Sequence, residues 1–224
     1  MGVGKADMTP YYQTELGKLY HGDCLEIMPM LEPVDLVLTD PKYGIGMDRG
    51  FGGFGGFGPP IARKQYNDKW DDERPPKEFF DFIIKAKLTM IFGGNFFADL
   101  LPQSTHWIFW DKLNTMPTFG DGELIWTNSK RKSVKKITYE YNGLLGKEGK
   151  RYHPTQKPIG LFVLILEERS EPTDLVLDPM IGSGTTAIAC ERLNRRWIGI
   201  EIEEKYCEIA VKRIKKERSQ LKLF

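Results

Sequence analysis

Apolar runs typical of buried strands alternate along the chain with stretches that have helical spacing. Stretches such as PPKEFFDFIIKAKL and GTTAIACERLN predict helices. Alternation of this kind is typical of an α/β protein with a mainly parallel sheet and helices on both faces. Seven apolar runs predict strands, at 18–23, 34–39, 89–94, 105–112, 123–128, 174–179 and 196–202. The connection between the fourth and fifth runs contains prolines and glycines, which favours an antiparallel pair there.

Four carboxylates lie at the ends of these predicted strands. They are Asp23, Asp40, Asp178 and Glu201. A single acid at such a place is as readily a turn former or a helix N-cap. In parallel sheets, however, ligands bind beyond the carboxyl ends of the strands, so four acids in one sheet indicate a site.

The stretch LVLDPMIGSGTTAIA (175–189) predicts a strand, a glycine turn and a helix. Gly182 and Gly184 allow the backbone to approach a ligand closely, and the helix begins with free N–H groups. Glu201 follows about 20 residues later, where nucleoside-binding folds place the acid that accepts ribose hydroxyls. Ile202 is expected to pack on a purine. Because a third glycine and the Walker pattern are both absent, the turn favours S-adenosylmethionine over a phosphorylated cofactor, and a purely structural turn is the alternative.

The stretch LTDPKYGIG (38–46) ends another predicted strand and carries an acid beside an aromatic ring. The Asp40 carboxylate and the Pro41 carbonyl together accept both hydrogens of an exocyclic amino group. Such an amine is a poor nucleophile, and two acceptors favour its pyramidal form with the lone pair exposed. Tyr43 is expected to stack on the base. A base in a duplex is out of reach, so the pattern predicts base flipping, with rate arising from alignment of the reacting atoms.

Composition agrees with one soluble domain spanning 1–224. Of the 224 residues, 41% are hydrophobic and 28% charged, and no apolar run reaches the ~18 residues of a membrane span. The N-terminus has no apolar core, so no secretory signal is expected. The three cysteines and three histidines lack metal-ligand spacing, so we expect reduced thiols, a cytoplasmic location and no metal.

Positive charge is concentrated between residues 129 and 152. This segment has eight Lys or Arg and two Glu, which gives +6 and leaves −5 for the rest of the chain. Such a segment predicts a polyanion contact, and a solvated basic loop is the alternative. The residues predicted to contact phosphates are Lys130, Arg131, Lys132, Lys135, Lys136 and Arg151. A Gly/Phe-rich loop at 46–60 is interpreted either as a mobile lid or as a poorly ordered loop.

Several motifs resemble those of the amino-group DNA methyltransferases. TDPKYG resembles their D-P-P-Y-G catalytic motif, DPMIGSGTT resembles their cofactor motif, and HPTQKP (153–158) resembles the segment before the first cofactor-half helix. WDDERP, IFGGNFFADLLP and WIFWDK resemble compact phage- or prophage-type members. The order of the motifs is that of the beta class, a circular permutation, and the resemblance covers residues 16–215.

The resemblance implies a seven-stranded, circularly permuted Rossmann-like sheet, with S-adenosylmethionine as cofactor and DNA as substrate. It implies catalysis by Asp40, Pro41 and Tyr43, with 129–152 as the target-recognition insertion. Asp23 would accept from the cofactor adenine, and Lys157 would meet the methionine carboxylate. The implied cofactor residues are Asp23, Lys157, Asp178, Pro179, Gly182, Gly184, Thr185, Glu201 and Ile202. Adenine N6 methylation, as in restriction–modification, is the expected reaction, and a short recognition segment makes a homodimer an option.

The chain departs from the family pattern at Lys42, where the family has proline. A cation there is expected to touch a DNA phosphate. The departure also keeps open a catalytically silent DNA-binding protein with the same fold. Methylation of cytosine N4 is a further alternative because related motifs serve it. The related N-P-P-Y motif also serves protein-glutamine methylation, but the basic segment favours DNA.

Overall fold

The computed structural model describes residues 8–45, 73–114, 120–141, 152 and 156–221. Within them the chain forms a single sheet of nine strands and five α-helices. The strands are β1 (Tyr12–Gln13), β2 (Gly17–His21), β3 (Leu36–Thr39), β4 (Leu88–Phe92), β5 (Trp107–Asp111), β6 (Gly122–Thr127), β7 (Lys135–Thr138), β8 (Leu175–Asp178) and β9 (Arg196–Glu201). The helices are α1 (Cys24–Ile27), α2 (Lys77–Ile83), α3 (Ile159–Arg169), α4 (Thr185–Arg192) and α5 (Glu204–Leu221).

Helices cover both faces of the sheet, as the alternation of elements predicts. Strands such as β3, LVLT, and β8, LVLD, are buried at every position, which is characteristic of parallel strands covered on two sides. Side chains of α3, α4 and α5 form one core with Leu36 and Leu38 of β3. Side chains of α1 and α2 form the second core with Val37, which points to the opposite face.

The sheet has the strand order β1-β2-β9-β8-β3-β4-β6-β5-β7. The central strands β2, β9, β8, β3 and β4 are parallel, while β6 runs antiparallel to both β4 and β5. The chain leaves β3 toward β4 on one side and leaves β8 toward β9 on the other. The sheet therefore has a topological switch point between β3 and β8, where α/β proteins bind their ligands.

The sheet is two strands wider than the seven apolar runs predict. β1 is a two-residue strand on β2, and β7 pairs in parallel with β5. β7 belongs to the segment 129–152, so part of the expected target-recognition insertion is a strand of the sheet itself. The Gly/Phe-rich loop at 46–60 lies outside the described residues.

Candidate active site

A cavity of about 690 Å³ opens at the switch point, beyond the carboxyl ends of the parallel strands. It is lined by residues of both predicted sites, including Asp40, Pro41 and Tyr43 after β3 and the Gly182 turn after β8. The cofactor residues predicted from sequence also line it, except Gly184. Asp40 and the Gly182 turn therefore share one cleft, although 142 residues separate them in the chain.

Tyr43 holds the Asp40 carboxylate in place. Its hydroxyl donates to Asp40 Oδ1 at 2.7 Å, and its ring stacks on Phe96 with centroids 4.7 Å apart. Burial raises the pKa of Tyr43 well above its usual value, and the Asp40 carboxylate raises it further. The phenol therefore keeps its proton and acts as a donor. Phe96 covers one face of the Tyr43 ring, and Tyr43 is 9% exposed. The structure therefore gives Tyr43 a second role, orienting Asp40, in addition to the base stacking expected from sequence.

Lys157 has neighbours that the sequence did not predict. Its ammonium lies 2.8 Å from Asp40 Oδ2, 3.2 Å from Glu123 Oε2 and 3.3 Å from the Tyr43 hydroxyl oxygen. Burial lowers the pKa of Lys157, but the two carboxylates outweigh burial and raise it. The structure thus directs this ammonium to the Asp40 carboxylate, whereas the sequence resemblance directed it to the methionine carboxylate of the cofactor.

Asp40 and Glu123 are two carboxylates that share this one ammonium. Burial raises the pKa of Asp40, Lys157 opposes the rise, and Glu123 adds to it. Burial also raises the pKa of Glu123, but Lys157 and Lys112 outweigh it and lower the pKa. Lys112 Nζ lies 2.7 Å from Glu123 Oε1 and 4.8 Å from the Trp110 ring centroid. Sequence analysis missed Glu123 and Lys112.

Asp178 is buried at the end of β8 and makes short contacts on both sides. Its Oδ1 accepts from the Thr39 hydroxyl at 3.0 Å and from the Met180 N–H at 3.2 Å, and its Oδ2 accepts from the Thr186 hydroxyl. Burial raises the pKa of Asp178 to about 7. The group therefore titrates near neutrality, and it joins the last residues of two neighbouring strands.

The glycine turn after β8 is tied directly to Glu201. Gly182 N–H donates to Glu201 Oε2 and Glu203 N–H donates to Oε1, each at 2.9 Å. Burial raises the pKa of Glu201, while the two N–H groups oppose the rise. Among the described residues, a Cβ at Gly182 would meet nothing within 4 Å, which leaves space for a ligand beside it. Gly184 has φ +86° and packs against α5. A Cβ at Gly184 would lie 3.0 Å from the Cβ of Ala210.

The remaining predicted cofactor residues also have structural contacts. Asp23 caps α1 by accepting from the Leu25 N–H at 2.8 Å, and it lines the cavity. Thr185 is buried and donates to the Lys157 carbonyl at 3.4 Å. Ile202 is 54% exposed beside Glu201, so its side chain is accessible to a ligand at the cavity wall.

Arg213 supports the glycine turn from behind. The Lys/Arg run of α5 has the sequence character of a solvated face, yet Arg213 is buried. Its guanidinium donates to the Ser183 carbonyl at 2.5 Å and to the Ser183 hydroxyl at 2.7 Å. The signal in the sequence was the small residue Ala210 three positions earlier, which lets α5 approach the turn.

The predicted DNA-binding residues lie at two opposite edges of the sheet. One edge is formed by the carboxyl ends of the parallel strands, and the other is formed by their amino ends. Lys42 is exposed and lines the cavity. Lys130, Arg131 and Lys132 precede β7, and Arg131 lines a second cavity of about 310 Å³ together with Asp35, which precedes β3. The length of a strand such as β3 separates these two edges of the sheet by about 15 Å. Lys130, Arg131 and Lys132 therefore lie at the opposite edge of the sheet from the cavity.

The other basic residues of the segment lie on or beyond the edge strand. Lys135 and Lys136 are exposed on β7, and the Lys136 ammonium lies 3.1 Å from Asp111 Oδ2. Arg151 lies outside the described residues. Among the described side chains no group of three His, Cys, Asp or Glu is placed to hold a metal ion. Of the helices that the structure describes, none combines the length and apolar character needed to cross a membrane.

Solved structures share this fold. The M1.HpyAVI–SAM complex superposes with a TM-score of 0.57 and 24% identity, over 89% of this chain and 99% of the other. The PvuII DNA methyltransferase, described as cytosine-N4-specific, superposes with a TM-score of 0.60 and 17% identity, over 94% of each chain. The fold is thus the Rossmann-like fold of these DNA methyltransferases.

Sequence comparisons identify similar DNA methylases. The model of the family described as DNA methylase, N6_N4_Mtase, matches residues 104–212. The Type II methyltransferase M2.LlaDCHI of Lactococcus lactis subsp. cremoris is 28% identical over 92% of both chains, and M2.DpnII of Streptococcus pneumoniae is 28% identical over 93% of both. The chain is therefore similar to the DNA methylase family over residues 104–212, and to these relatives over most of its length.

Proposed function

We propose that this protein transfers a methyl group from S-adenosylmethionine to the N6 amino group of an adenine that has been flipped out of DNA. The observation that carries the proposal is the shared cavity, in which the Asp40–Tyr43 turn faces the Gly182 turn and Glu201. Similarity to the DNA methylase family supports the reaction class. An aspartate at the first position of the catalytic motif favours adenine by resemblance.

The cofactor half of the cavity fits a nucleoside with an amino-acid tail. Glu201 presents a buried carboxylate to ribose hydroxyls, and Gly182 leaves open space beside it. Asp23 and Ile202 line the same wall, where an adenine would meet one acceptor and one apolar side chain. The chemistry supplied there by bound S-adenosylmethionine is an electrophilic methyl group on a sulfonium.

The catalytic half prepares the target amine. Asp40 accepts one amino hydrogen and the Pro41 carbonyl accepts the other, which exposes the nitrogen lone pair toward the methyl group. Tyr43 fixes Asp40 Oδ1, and Lys157 favours the ionised form of the buried carboxylate, which is an acceptor. Rate then comes from holding the reacting atoms in line.

The DNA contact is proposed to centre on the cavity mouth. Lys42 contacts a phosphate next to the flipped nucleotide, because it is exposed at the rim. Lys135, Lys136 and Arg151 remain predicted phosphate contacts, and a homodimer remains an option that analytical ultracentrifugation tests. A DNA substrate supports the cytoplasm as the location.

The test is methyl transfer to DNA of mixed sequence from tritiated S-adenosylmethionine. The wild-type protein and the Asp40→Asn variant are compared, with Asp81→Asn as the control for an exposed aspartate that pairs with Lys77. We expect label in DNA with the wild type and the control, and a loss of about 100-fold or more with Asp40→Asn. Digestion to nucleosides and mass spectrometry should give N6-methyladenine.

Each other outcome has a defined meaning. Formation of N4-methylcytosine would mean that the target base is cytosine rather than adenine, with the same mechanism. Equal incorporation by wild type and Asp40→Asn would remove Asp40 from catalysis. Binding of DNA without any transfer would support the catalytically silent alternative that Lys42 raises.

A further inference from the structure

Four side chains of alternating charge form a continuous chain beside the cavity. Lys112 Nζ lies 2.7 Å from Glu123 Oε1, Glu123 Oε2 lies 3.2 Å from Lys157 Nζ, and Lys157 Nζ lies 2.8 Å from Asp40 Oδ2. The four come from separate places in the sequence: after β5, in β6, before α3 and after β3. Their side chains are between 8% and 21% exposed, so each charge depends on its neighbours rather than on water.

The Lys157 ammonium is held between two carboxylates. Removing one partner from a buried ion pair leaves an uncompensated charge, which is strongly unfavourable. If Lys157 had Asp40 as its sole partner, any move away from Asp40 would leave the cation unpaired. Glu123 removes that obstacle because its Oε2 is already within 3.2 Å of the same ammonium.

A target base brings a further hydrogen-bond donor to Asp40. In the structure Asp40 accepts from Tyr43 through Oδ1 and from Lys157 through Oδ2. An ammonium at 2.8 Å draws electron density from the carboxylate and occupies the side of Oδ2, so an incoming amino group must displace or share this contact. Less withdrawal by Lys157 makes Asp40 a stronger acceptor for the amine.

We propose that Glu123 is a positioning residue that takes over the Lys157 ammonium when Asp40 accepts the amino group of the target base. Lys112 fixes the far oxygen of Glu123, so Glu123 stays ionised and oriented toward Lys157. The proposal rests on the proposed function, since it assigns Asp40 to the amine. It involves no proton transfer and no covalent step, only a shift of one ammonium between two carboxylates.

The first test is Glu123→Gln, which keeps the shape and removes the charge. With Lys157 committed to Asp40, we expect kcat to fall about 10- to 100-fold near pH 7 while the affinity for S-adenosylhomocysteine is unchanged. The Asp40 and Glu123 carboxylates both raise the pKa of Lys157, so the loss of Glu123 lowers that pKa. We therefore expect kcat of the variant to recover as the pH rises, relative to wild type. The control is Glu217→Gln, which removes a carboxylate of similar exposure that pairs with Arg192.

The second test is a double-mutant cycle with Lys157→Met. A residue that acts through Lys157 loses its importance when Lys157 is gone, so Glu123→Gln should cause no further loss in the Lys157→Met background. A gain of activity is the stronger expectation, because Glu123 then only repels the Asp40 charge. Thermal melts of all variants report whether the fold is intact.

The outcomes separate this inference from the function on which it rests. A wild-type protein that transfers no methyl group to DNA overturns both. An active wild type with an equally active Glu123→Gln variant overturns the role of Glu123 alone. A loss that is the same at every pH and additive with Lys157→Met also overturns it, because a purely structural role gives that result.

Discussion

The hydroxyl of Thr39 donates to Asp178 Oδ1 across 3.0 Å and thereby joins the ends of β3 and β8. These two strands lie side by side in parallel, and β3 leads to the turn that carries Asp40 while β8 leads to the glycine turn. Both residues are buried, Thr39 completely and Asp178 to within 4% of full burial. The contact therefore sets the spacing of the two turns that form the cavity.

This relationship makes stability depend on pH through Asp178. Burial raises its folded-state pKa to about 7, whereas an unfolded aspartate titrates near pH ~4. Between these values the folded protein binds the extra proton, so stability falls as the pH rises from 4 to 7 and then levels off. Asp178→Asn, which retains one acceptor oxygen and cannot ionise, should lose this dependence. Chemical denaturation at pH 5 and pH 8 should show the variant gaining on wild type by a few kcal/mol at the higher pH.

The comparison needs a matched carboxylate. Asp121→Asn changes an exposed aspartate, and its unfolding free energy should follow that of wild type at both pH values. If Asp178→Asn and wild type keep a constant difference between pH 5 and pH 8, then Asp178 is ionised throughout that range and the predicted dependence is absent.

Glu201 is expected to serve both the cofactor and the turn. Its two oxygens each accept one backbone N–H, so Glu201→Gln removes the charge and places an amide nitrogen against one of those donors. We expect affinity for S-adenosylhomocysteine to fall about 10- to 100-fold, with a loss of stability of about 1–2 kcal/mol. Isothermal titration and thermal melts measure the two effects. Glu208→Gln on the exposed side of α5 is the control, and unchanged affinity in Glu201→Gln would place the ribose elsewhere.

The residues that sequence predicts well are those at the ends of parallel strands. Asp40, Asp178 and Glu201 each follow an apolar run, and parallel strands bring such ends to one edge. Glu123 escapes that rule because it lies at the beginning of a strand. β6 is antiparallel, so its first residues reach the same edge as the last residues of β3 and β4. A search for acids at the starts of predicted antiparallel strands would have found it.

Charge patterns in the sequence predict the position of a residue less well than apolar strand patterns do. The run KRK at 130–132 and the pair Lys135–Lys136 look equivalent in sequence, yet one precedes β7 at the far edge and the other lies on the strand. The family resemblance implies that Lys157 contacts the cofactor. In the structure, however, the buried ammonium pairs with the carboxylates that the fold brings near it. Sequence holds no record of those distances, since Asp40 and Glu123 come from different strands.

Gly93 is predicted to be essential for the position of Tyr43. Its φ is +63°, and a Cβ there would lie 2.4 Å from the Tyr43 ring. Gly93→Ala should cost at least about 1–2 kcal/mol from the backbone alone and should also displace the ring that holds Asp40. We expect a lower melting temperature and a marked loss of methyl transfer. Gly120→Ala is the control, because the one described atom that its Cβ would meet is the Gly122 carbonyl oxygen, at 3.8 Å. Equal activity of Gly93→Ala and wild type would show that Tyr43 need not stay in this position.

Salt dependence of DNA binding should distinguish the two edges of the sheet. Lys42→Gln removes a cation at the cavity mouth, and Lys130→Gln removes one at the far edge near Arg131. If the target base enters the cavity, Lys42→Gln should weaken binding and reduce the slope of log K against log salt by about 1. Lys130→Gln should leave both nearly unchanged, because its side of the sheet lies about 15 Å away from the cleft. Fluorescence anisotropy with a short duplex, from 50 to 200 mM salt, measures both slopes. An equal reduction in the two variants would mean that DNA reaches both edges of the sheet, and a reduction for Lys130→Gln alone would move the DNA contact away from the cavity mouth.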